Sequence, residues 1–131
     1  MKKTLIVIDM QNDFIDGSLG TAEAVKIVPN VRKKIEEYRS NGDEIIFTRD
    51  THGEDYLNTP EGKKLPVVHC VKNTHGWQIA DGLDVPDAIH IDKPSFGYTH
   101  WDKFCFEKIE LVGLCTDICV VSNALILKAL F

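Results

Sequence analysis

The sequence predicts an α/β fold, a three-layer αβα arrangement around a mostly parallel sheet. Apolar runs alternate with helix-like or irregular segments, which is the order of elements in a parallel sheet covered by helices. The first run, TLIVIDM at 4–10, is almost continuously apolar, as in a strand buried on both faces. The chain has 131 residues and is 44% hydrophobic, which suffices for one core. We therefore expect a single domain over residues 1–131.

The other elements follow in order along the chain. Apolar residues recur at helical spacing from Val28 onward, with Pro29 suited to the first turn and Asn41-Gly42 to the stop. Residues 51–87 carry Gly, Pro, Asn and Asp throughout and indicate a long irregular segment. Three more strands and a last helix are predicted: strands at 44–50, 88–93 and 108–114, and a helix from Asp117 to the end, capped by Thr116.

Charge and composition exclude several classes of function. The net charge of −5 provides no electrostatic attraction to nucleic acid or to an anionic membrane. No stretch approaches the roughly 18 apolar residues of a membrane span, and no cleavage site follows the first apolar run. We therefore expect a cytoplasmic protein whose four cysteines stay reduced. A nucleotide-binding domain is disfavoured because no glycine-rich phosphate motif follows a strand.

Chemically reactive side chains stand where the predicted strands end. Asp9, Asp50, Lys93 and the segment 115–119 each lie at or just beyond the carboxyl end of a strand. Ligands of parallel α/β sheets bind at that edge. Charged residues also end strands routinely, so the set of four is more informative than any single position.

Two cysteines, Cys115 and Cys119, lie four residues apart in GLCTDICV. The spacing is not C-x-x-C and no second pair follows, which disfavours a redox pair or a zinc site. Cys115 suits core packing. With Thr116 as the cap, Cys119 falls in the first helical turn, where free N–H groups stabilise a thiolate and can hold an oxyanion. From the residues alone, Cys119 is as well explained as a buried spectator as it is as a nucleophile.

A thiol nucleophile needs a proton acceptor and a neighbouring charge that steadies it. Asp9 is the available base and Lys93 the available ammonium at the same sheet edge. The alternatives are a cap on the following turn for Asp9 and an ordinary solvated lysine for Lys93.

A metal site is also conceivable after the second strand. Asp50-x-His52 can begin the ligand set of a divalent cation, and mixed oxygen and nitrogen ligands suit Zn, Mn or Fe. Histidines in a polar loop are more often simply solvated, so this pattern alone is weak.

Three motifs together resemble a known family. VIDMQNDF at 7–14, the K-x-x-F of KPSF at 93–96 and GLCTDICV at 113–120 are similar, in the same order, to motifs of the isochorismatase-like cysteine hydrolases, especially nicotinamidases. The resemblance implies that family's Rossmann-like αβα fold.

The resemblance also implies the catalytic groups. Asp9, Lys93 and Cys119 would form a catalytic triad, with Cys119 as the nucleophile. The backbone amides of Cys115 and Cys119 would form the oxyanion hole. The implied reaction converts nicotinamide to nicotinate and ammonia through a cysteine thioester.

The implied metal site departs from one family pattern and matches another. Many nicotinamidases share Asp-x-His-x-x-x-His, and Tyr56 stands here in place of the second histidine. Other nicotinamidases use a glutamate and a later histidine instead. The resemblance then implies a divalent ion, zinc before manganese or iron, with these ligands: Asp50, His52, Glu61 and His69.

The substrate is implied to be a small amide. Phe14 and Leu19 resemble the family's ring-contacting residues, with core packing as the alternative. One rival function is another hydrolysis of the superfamily, on a vinyl ether, ureido or carbamoyl substrate. A second rival is an inactive fragment that serves as a binding or assembly module.

The last twelve residues, VVSNALILKALF, include nine apolar ones and no stop signal. A helix that is apolar nearly all round is expected to be buried. The family normally continues with further strand–helix units. We therefore expect a domain that is incomplete at its C-terminus, or one covered by a partner copy in a homo-oligomer.

Overall fold

A four-stranded parallel sheet forms the centre of the computed structural model, which describes residues 3–94, 98, 100–104, 106–114 and 121–130. The strand order is β3-β2-β1-β4, and every neighbouring pair is parallel. The predicted α/β class is confirmed, and each strand lies within two residues of its predicted bounds. The strands are β1 at Lys3–Ile8, β2 at Glu44–Asp50, β3 at Ile89–Lys93 and β4 at Lys108–Gly113.

Among the described residues, four helices accompany the sheet. They are α1 at Asn12–Ile15, α2 at Ala22–Ser40, α3 at Pro60–Lys64 and α4 at Val121–Leu130. Short 3-10 turns occur at Tyr56–Asn58, His75–Trp77 and Trp101–Lys103. Within the part of the chain that the structure describes, none of the helices has the length and apolarity needed to cross a membrane. The cytoplasmic location stays a prediction.

Helix α2 begins earlier than predicted. Thr21 is its N-cap, and its hydroxyl accepts a hydrogen bond from the N–H of Ala24 at 3.0 Å. Pro29 therefore lies in the helix interior, and its placement in the first turn is wrong. The missing N–H of Pro29 deprives the Val25 carbonyl of its helical partner. Val25 is 51% exposed, so water can solvate that carbonyl.

The predicted end of α2 is confirmed. Gly42 adopts a left-handed conformation with φ of 72°, which glycine reaches without steric cost. The N–H of Asp43 donates to the carbonyl of Tyr38 at 2.9 Å, and that of Gly42 donates to Arg39 at 3.1 Å. These two bonds form a Schellman motif, which satisfies carbonyls at the helix end.

Two apolar clusters cover opposite faces of the sheet and make the fold three-layered. Alternate residues of each strand point to opposite faces. One cluster packs strand residues against α2: Leu5, Val7, Ile45 and Phe47 with Val31, Ile35 and Tyr38. The other packs the alternate residues against the α4 side: Ile6, Ile8, Ile46 and Ile91 with Trp101 and Leu127.

Helix α4 is mostly apolar but contains a buried polar side chain, Asn123, which anchors it. The Oδ1 atom of Asn123 accepts hydrogen bonds from the N–H of Tyr98 at 2.8 Å and from the indole of Trp101 at 3.1 Å. The helix therefore docks against the segment that follows β3. Leu125 is 64% exposed, so α4 does carry an uncovered apolar residue. The incomplete domain and the homo-oligomer stay predictions.

Candidate functional site

The backbone turns sharply where β1 ends. Asp9 follows β1 directly and adopts a φ of 53°, a left-handed conformation that aspartate tolerates better than most residues. Its N–H donates to the carbonyl of Thr48 at 3.1 Å. Strained backbone of this kind clusters at functional sites.

Asp9 and Lys93 form a buried ion pair. The Oδ2 of Asp9 lies 2.8 Å from the Nζ of Lys93, and both side chains are 0% exposed. The other carboxylate oxygen accepts a hydrogen bond from the Thr48 hydroxyl at 2.8 Å. Because β2 lies between β1 and β3, the Lys93 side chain reaches across β2 to Asp9. A buried charge pair is expensive in desolvation and is more typical of a functional site than of a device for stability.

The sheet edge thus brings together two of the three predicted triad residues. The predicted nucleophile, Cys119, and Cys115 of the predicted oxyanion hole lie outside the described residues. Their roles stay predictions, as does the helix start at Thr116.

A second group of side chains meets beside this pair. The Oδ2 of Asp50 lies 2.9 Å from the Nε2 of His52 and 3.4 Å from the Nε2 of His69. One ligand atom from each of these three buried residues lies within 4.8 Å of the other two. The Oε2 of Glu61 is 3.2 Å from the Nε2 of His52. The structure therefore gathers all four predicted metal ligands.

The group has the features of a divalent-metal site. The Oδ1 of Asp50 is buried and has no hydrogen-bond partner among the described residues, and a bound cation would satisfy it. The Nδ1 of His69 lies 2.7 Å from the carbonyl of Val67. A carbonyl can only accept, so Nδ1 carries a proton and Nε2 is the nitrogen that faces the group and would bind a metal. Two carboxylates and two imidazoles suit Zn, Mn or Fe.

The electrostatics of the group favour an anionic Asp50. Burial acts to raise the pKa of Asp50, but hydrogen bonds with His52 and His69 and the charge of Lys93 hold it below its usual range. Burial acts to lower the pKa of His69, and its bonds to Asp50 and the Val67 carbonyl more than offset this. Burial and the charge of Asp50 raise the pKa of Glu61. The charge of Asp50 thus opposes the ionisation of Glu61, and a bound cation would relieve that repulsion.

Tyr56, which replaces a family histidine, packs against the two histidines. Its ring centroid lies 4.5 Å from that of His52 and 5.0 Å from that of His69. Its hydroxyl donates to the carbonyl of Leu65 at 2.8 Å. The ring of Tyr56 thus packs against both imidazoles, while its hydroxyl group bonds the backbone of Leu65 and not the metal-ligand group.

Helix α3 presents Glu61 to the group. Thr59 caps this helix, and its hydroxyl accepts a hydrogen bond from the N–H of Gly62 at 3.0 Å. A Cβ on Gly62 would overlap the Tyr56 carbonyl oxygen and lie 2.9 Å from the Leu57 Cα. The missing side chain at Gly62 therefore allows α3 to approach the turn that carries Tyr56.

Replacing Gly62 by alanine is expected to destabilise the protein by about 1–3 kcal/mol, because backbone atoms must separate to admit the methyl group. The movement should also displace Glu61 and weaken zinc binding. Urea unfolding and a zinc competition titration measure the two effects. The matched control is Lys63→Ala, on an exposed side chain of the same helix. Equal results for the two variants would contradict the prediction.

Phe14 lies next to His69, one of the predicted metal ligands. Phe14 belongs to a small apolar cluster with Cys70 and Trp77, against which Leu19 packs. The ring centroid of Phe14 is 5.5 Å from that of His69. The predicted contact of Phe14 and Leu19 with substrate stays a prediction, since packing within this cluster also accounts for both residues.

Cys70 is a poor candidate for the nucleophile. Burial, together with the nearby charges of Asp50 and Asp13, raises the pKa of its thiol well above the usual range. A thiol of this kind stays protonated at neutral pH and is unreactive.

Several polar residues that shape the site were not predicted from the sequence. Gln11 and Asp13 lie within the motif at 7–14, so their place beside Asp9 was a visible signal. The Oδ2 of Asp13 accepts a hydrogen bond from the N–H of Cys70 at 2.8 Å, next to His69. Thr48, which donates to Asp9, carried no such signal, because only the pairing of β1 with β2 brings it there.

A family model decides the relationship of the chain to known proteins. Residues 3–130 match the isochorismatase domain. The chain belongs to the isochorismatase family. The resemblance predicted from the three motifs is therefore confirmed.

Similar proteins of this family include nicotinamidases. The nicotinamidase of Saccharomyces cerevisiae is 32% identical over 94% of this chain and 80% of its own length. Among solved structures, the pyrazinamidase of Pyrococcus horikoshii in complex with zinc is 30% identical with a TM-score of 0.83, and the match covers 100% of this chain and 81% of that one. The N-carbamoylsarcosine amidase of Thermoplasma acidophilum is 28% identical with a TM-score of 0.82, covering 95% of this chain and 75% of that one.

Proposed function

We propose that this isochorismatase-family chain is a nicotinamidase-type amide hydrolase that converts nicotinamide to nicotinate and ammonia. The observation that carries the proposal is the buried Asp9–Lys93 pair, which lies at the same sheet edge as the Asp50, His52 and His69 group. Similarity to a yeast nicotinamidase and to a zinc-bound pyrazinamidase supports it.

The proposed reaction begins with proton transfer from the Cys119 thiol to the Asp9 carboxylate, while Lys93 stabilises the charges. The thiolate attacks the amide carbonyl carbon, and the backbone N–H groups of Cys115 and Cys119 hold the oxyanion. Asp9 returns its proton to the leaving nitrogen, ammonia departs and a thioester remains. Water, deprotonated by Asp9, then cleaves the thioester to nicotinate and regenerates the thiol.

The proposed metal ligands are Asp50, His52, Glu61 and His69. When bound there, a divalent ion, zinc before manganese or iron, would supply a Lewis acid for the ring nitrogen of the pyridine. Phe14 and Leu19 would contact the ring and exclude water from it. Together these residues would orient the carboxamide towards the nucleophile.

Ammonia release from nicotinamide, measured before and after removal of metal with a chelator, tests this function. We expect hydrolysis that is lost on chelation and restored by zinc. Benzamide, which lacks the ring nitrogen, serves as the matched substrate control and should be hydrolysed slowly with or without the chelator. Full activity on nicotinamide after complete metal removal would overturn the ligand proposal and leave the triad proposal standing.

A carbamoyl substrate is the second candidate, favoured by the similarity to N-carbamoylsarcosine amidase. Ammonia release from N-carbamoylsarcosine in the same assay separates the two. Faster release from this compound than from nicotinamide would favour the carbamoyl function. A folded chain that releases ammonia from neither would favour the inactive binding or assembly module.

A further inference from the structure

We propose that Gln11 is a positioning residue for the metal site. Its side chain forms hydrogen bonds with the backbone of Asp50, which lies beyond the last residue of β2 that pairs with β1. The inference rests on the metal site of the proposed function. It concerns a residue that binds no metal itself and contacts the ligand residue only through main-chain atoms.

The carboxamide of Gln11 is fully buried and completely engaged. Its Oε1 accepts a hydrogen bond from the N–H of Asp50 at 2.8 Å. Its Nε2 donates to the carbonyl of Asp50 at 2.9 Å and to the carbonyl of Trp77 at 2.8 Å. One side chain thus satisfies both polar backbone groups of a proposed metal ligand.

The reason lies in the way the sheet ends. The pairing of β1 with β2 runs up to Ile8 and Thr48, after which Asp9 turns the chain away from the sheet. Asp50 is two residues beyond Thr48, so β1 offers it no further peptide group in that register. An amide side chain has a donor and an acceptor arranged as in a peptide bond. Gln11 therefore takes the place of the next peptide of β1.

The third hydrogen bond connects Gln11 to the other wall of the site. Trp77 ends a 3-10 turn, and its indole donates to the hydroxyl of Thr51 at 2.9 Å. Thr51 is the residue after Asp50. Gln11 therefore contacts this segment twice. It bonds Asp50 directly, and it bonds Trp77, which in turn bonds Thr51.

The geometry also connects the metal site to Asp9, the proposed catalytic base. Gln11 is two residues after Asp9, and both lie on the same short stretch beyond β1. A displacement of Gln11 would therefore move Asp50 relative to Asp9. Residues that orient metal ligands contribute to metal affinity without touching the metal. Their loss typically weakens metal binding by roughly 10–100-fold.

Zinc affinity of the metal-stripped protein, measured by competition with a chromophoric chelator, tests the inference without any assay of catalysis. In Gln11→Met, which has a similar shape and no hydrogen bonds, we expect zinc binding to weaken by about tenfold or more. Gln11→Glu keeps an acceptor for the Asp50 N–H but places a carboxylate oxygen against the carbonyls of Asp50 and Trp77, so we expect weaker zinc binding here too. Thermal unfolding of each metal-free variant reports its stability separately.

The control is Thr4→Val, which removes a partly buried side-chain hydrogen bond between β1 and β2. The Thr4 hydroxyl donates to the carboxylate of Glu44 at 3.2 Å, at the opposite end of the two strands. Thr4→Val should lower stability somewhat and leave zinc affinity unchanged.

Three results would overturn the inference. Wild-type zinc affinity in a folded Gln11→Met protein would do so and leave the metal-site proposal intact. Failure of the wild-type protein to bind zinc, manganese or iron would remove the metal site and the role of Gln11 with it. Loss of folding in both Gln11 variants would show that the fold, rather than the site, requires this side chain.

Discussion

Asp9→Asn is expected to lower kcat for amide hydrolysis by about 10³-fold, because the variant has no group to accept the thiol proton and return it to ammonia. Asparagine tolerates the positive φ of this position, so the backbone can keep its conformation. The substitution also leaves the Lys93 ammonium buried beside a neutral partner. Removing one charge of a buried ion pair costs about 3–5 kcal/mol of the free energy of unfolding.

A double variant separates the two effects. Adding Lys93→Met to Asp9→Asn removes the buried charge, so the free energy of unfolding should recover in large part while kcat stays low. Urea unfolding and ammonia release measure the two quantities on the same preparations. Unfolding free energies that add up across the single and double variants would contradict the coupling of the pair. A wild-type kcat in Asp9→Asn would show that another group is the base.

Cys119→Ala is expected to reduce ammonia release by about 10⁴-fold or more, because no thioester can form without the sulfur. Cys115→Ala should retain activity to within about threefold, because alanine keeps the backbone N–H that the oxyanion hole requires. The two variants have the same change in chemistry four residues apart, so each is the control for the other.

Steady-state release of ammonia from nicotinamide, with circular dichroism to verify folding, measures the difference. Mass spectrometry of the wild-type protein quenched during turnover should detect the acyl adduct on the peptide that contains Cys119. Equal losses of activity in the two alanine variants would contradict the assignment of separate roles to the two cysteines.

The sheet edge was predictable because parallel strands place their carboxyl ends side by side. Asp9, Asp50 and Lys93 were recognised from their positions after apolar runs, and the structure brings all three to that edge. Which of these side chains contact each other could not be predicted from the sequence. That Lys93 contacts Asp9 across β2 depends on strand order, which apolar runs do not specify.

The start of α2 shows where local patterns fail. Proline is favoured in the first turn of a helix, which predicts a helix start near Pro29. The Thr21 cap and packing against the sheet instead extend the helix towards the N-terminus, so that it begins before Pro29. A proline inside a helix is tolerated where the freed carbonyl faces water, and exposure is a property of the folded molecule. The sequence pattern alone therefore misplaced the boundary.

The amino-acid sequence by itself determined the fold class and the family, and it predicted which polar residues end the strands, because apolar periodicity and motif order are local properties of the chain. Tertiary structure alone decided which atoms meet: Gln11 with the backbone of Asp50, Thr48 with the carboxylate of Asp9, and Tyr56 with two imidazoles. The physical reason is that hydrogen bonds and ring contacts act over a few ångströms. The register of the strands and the path of the loops bring such partners within that range.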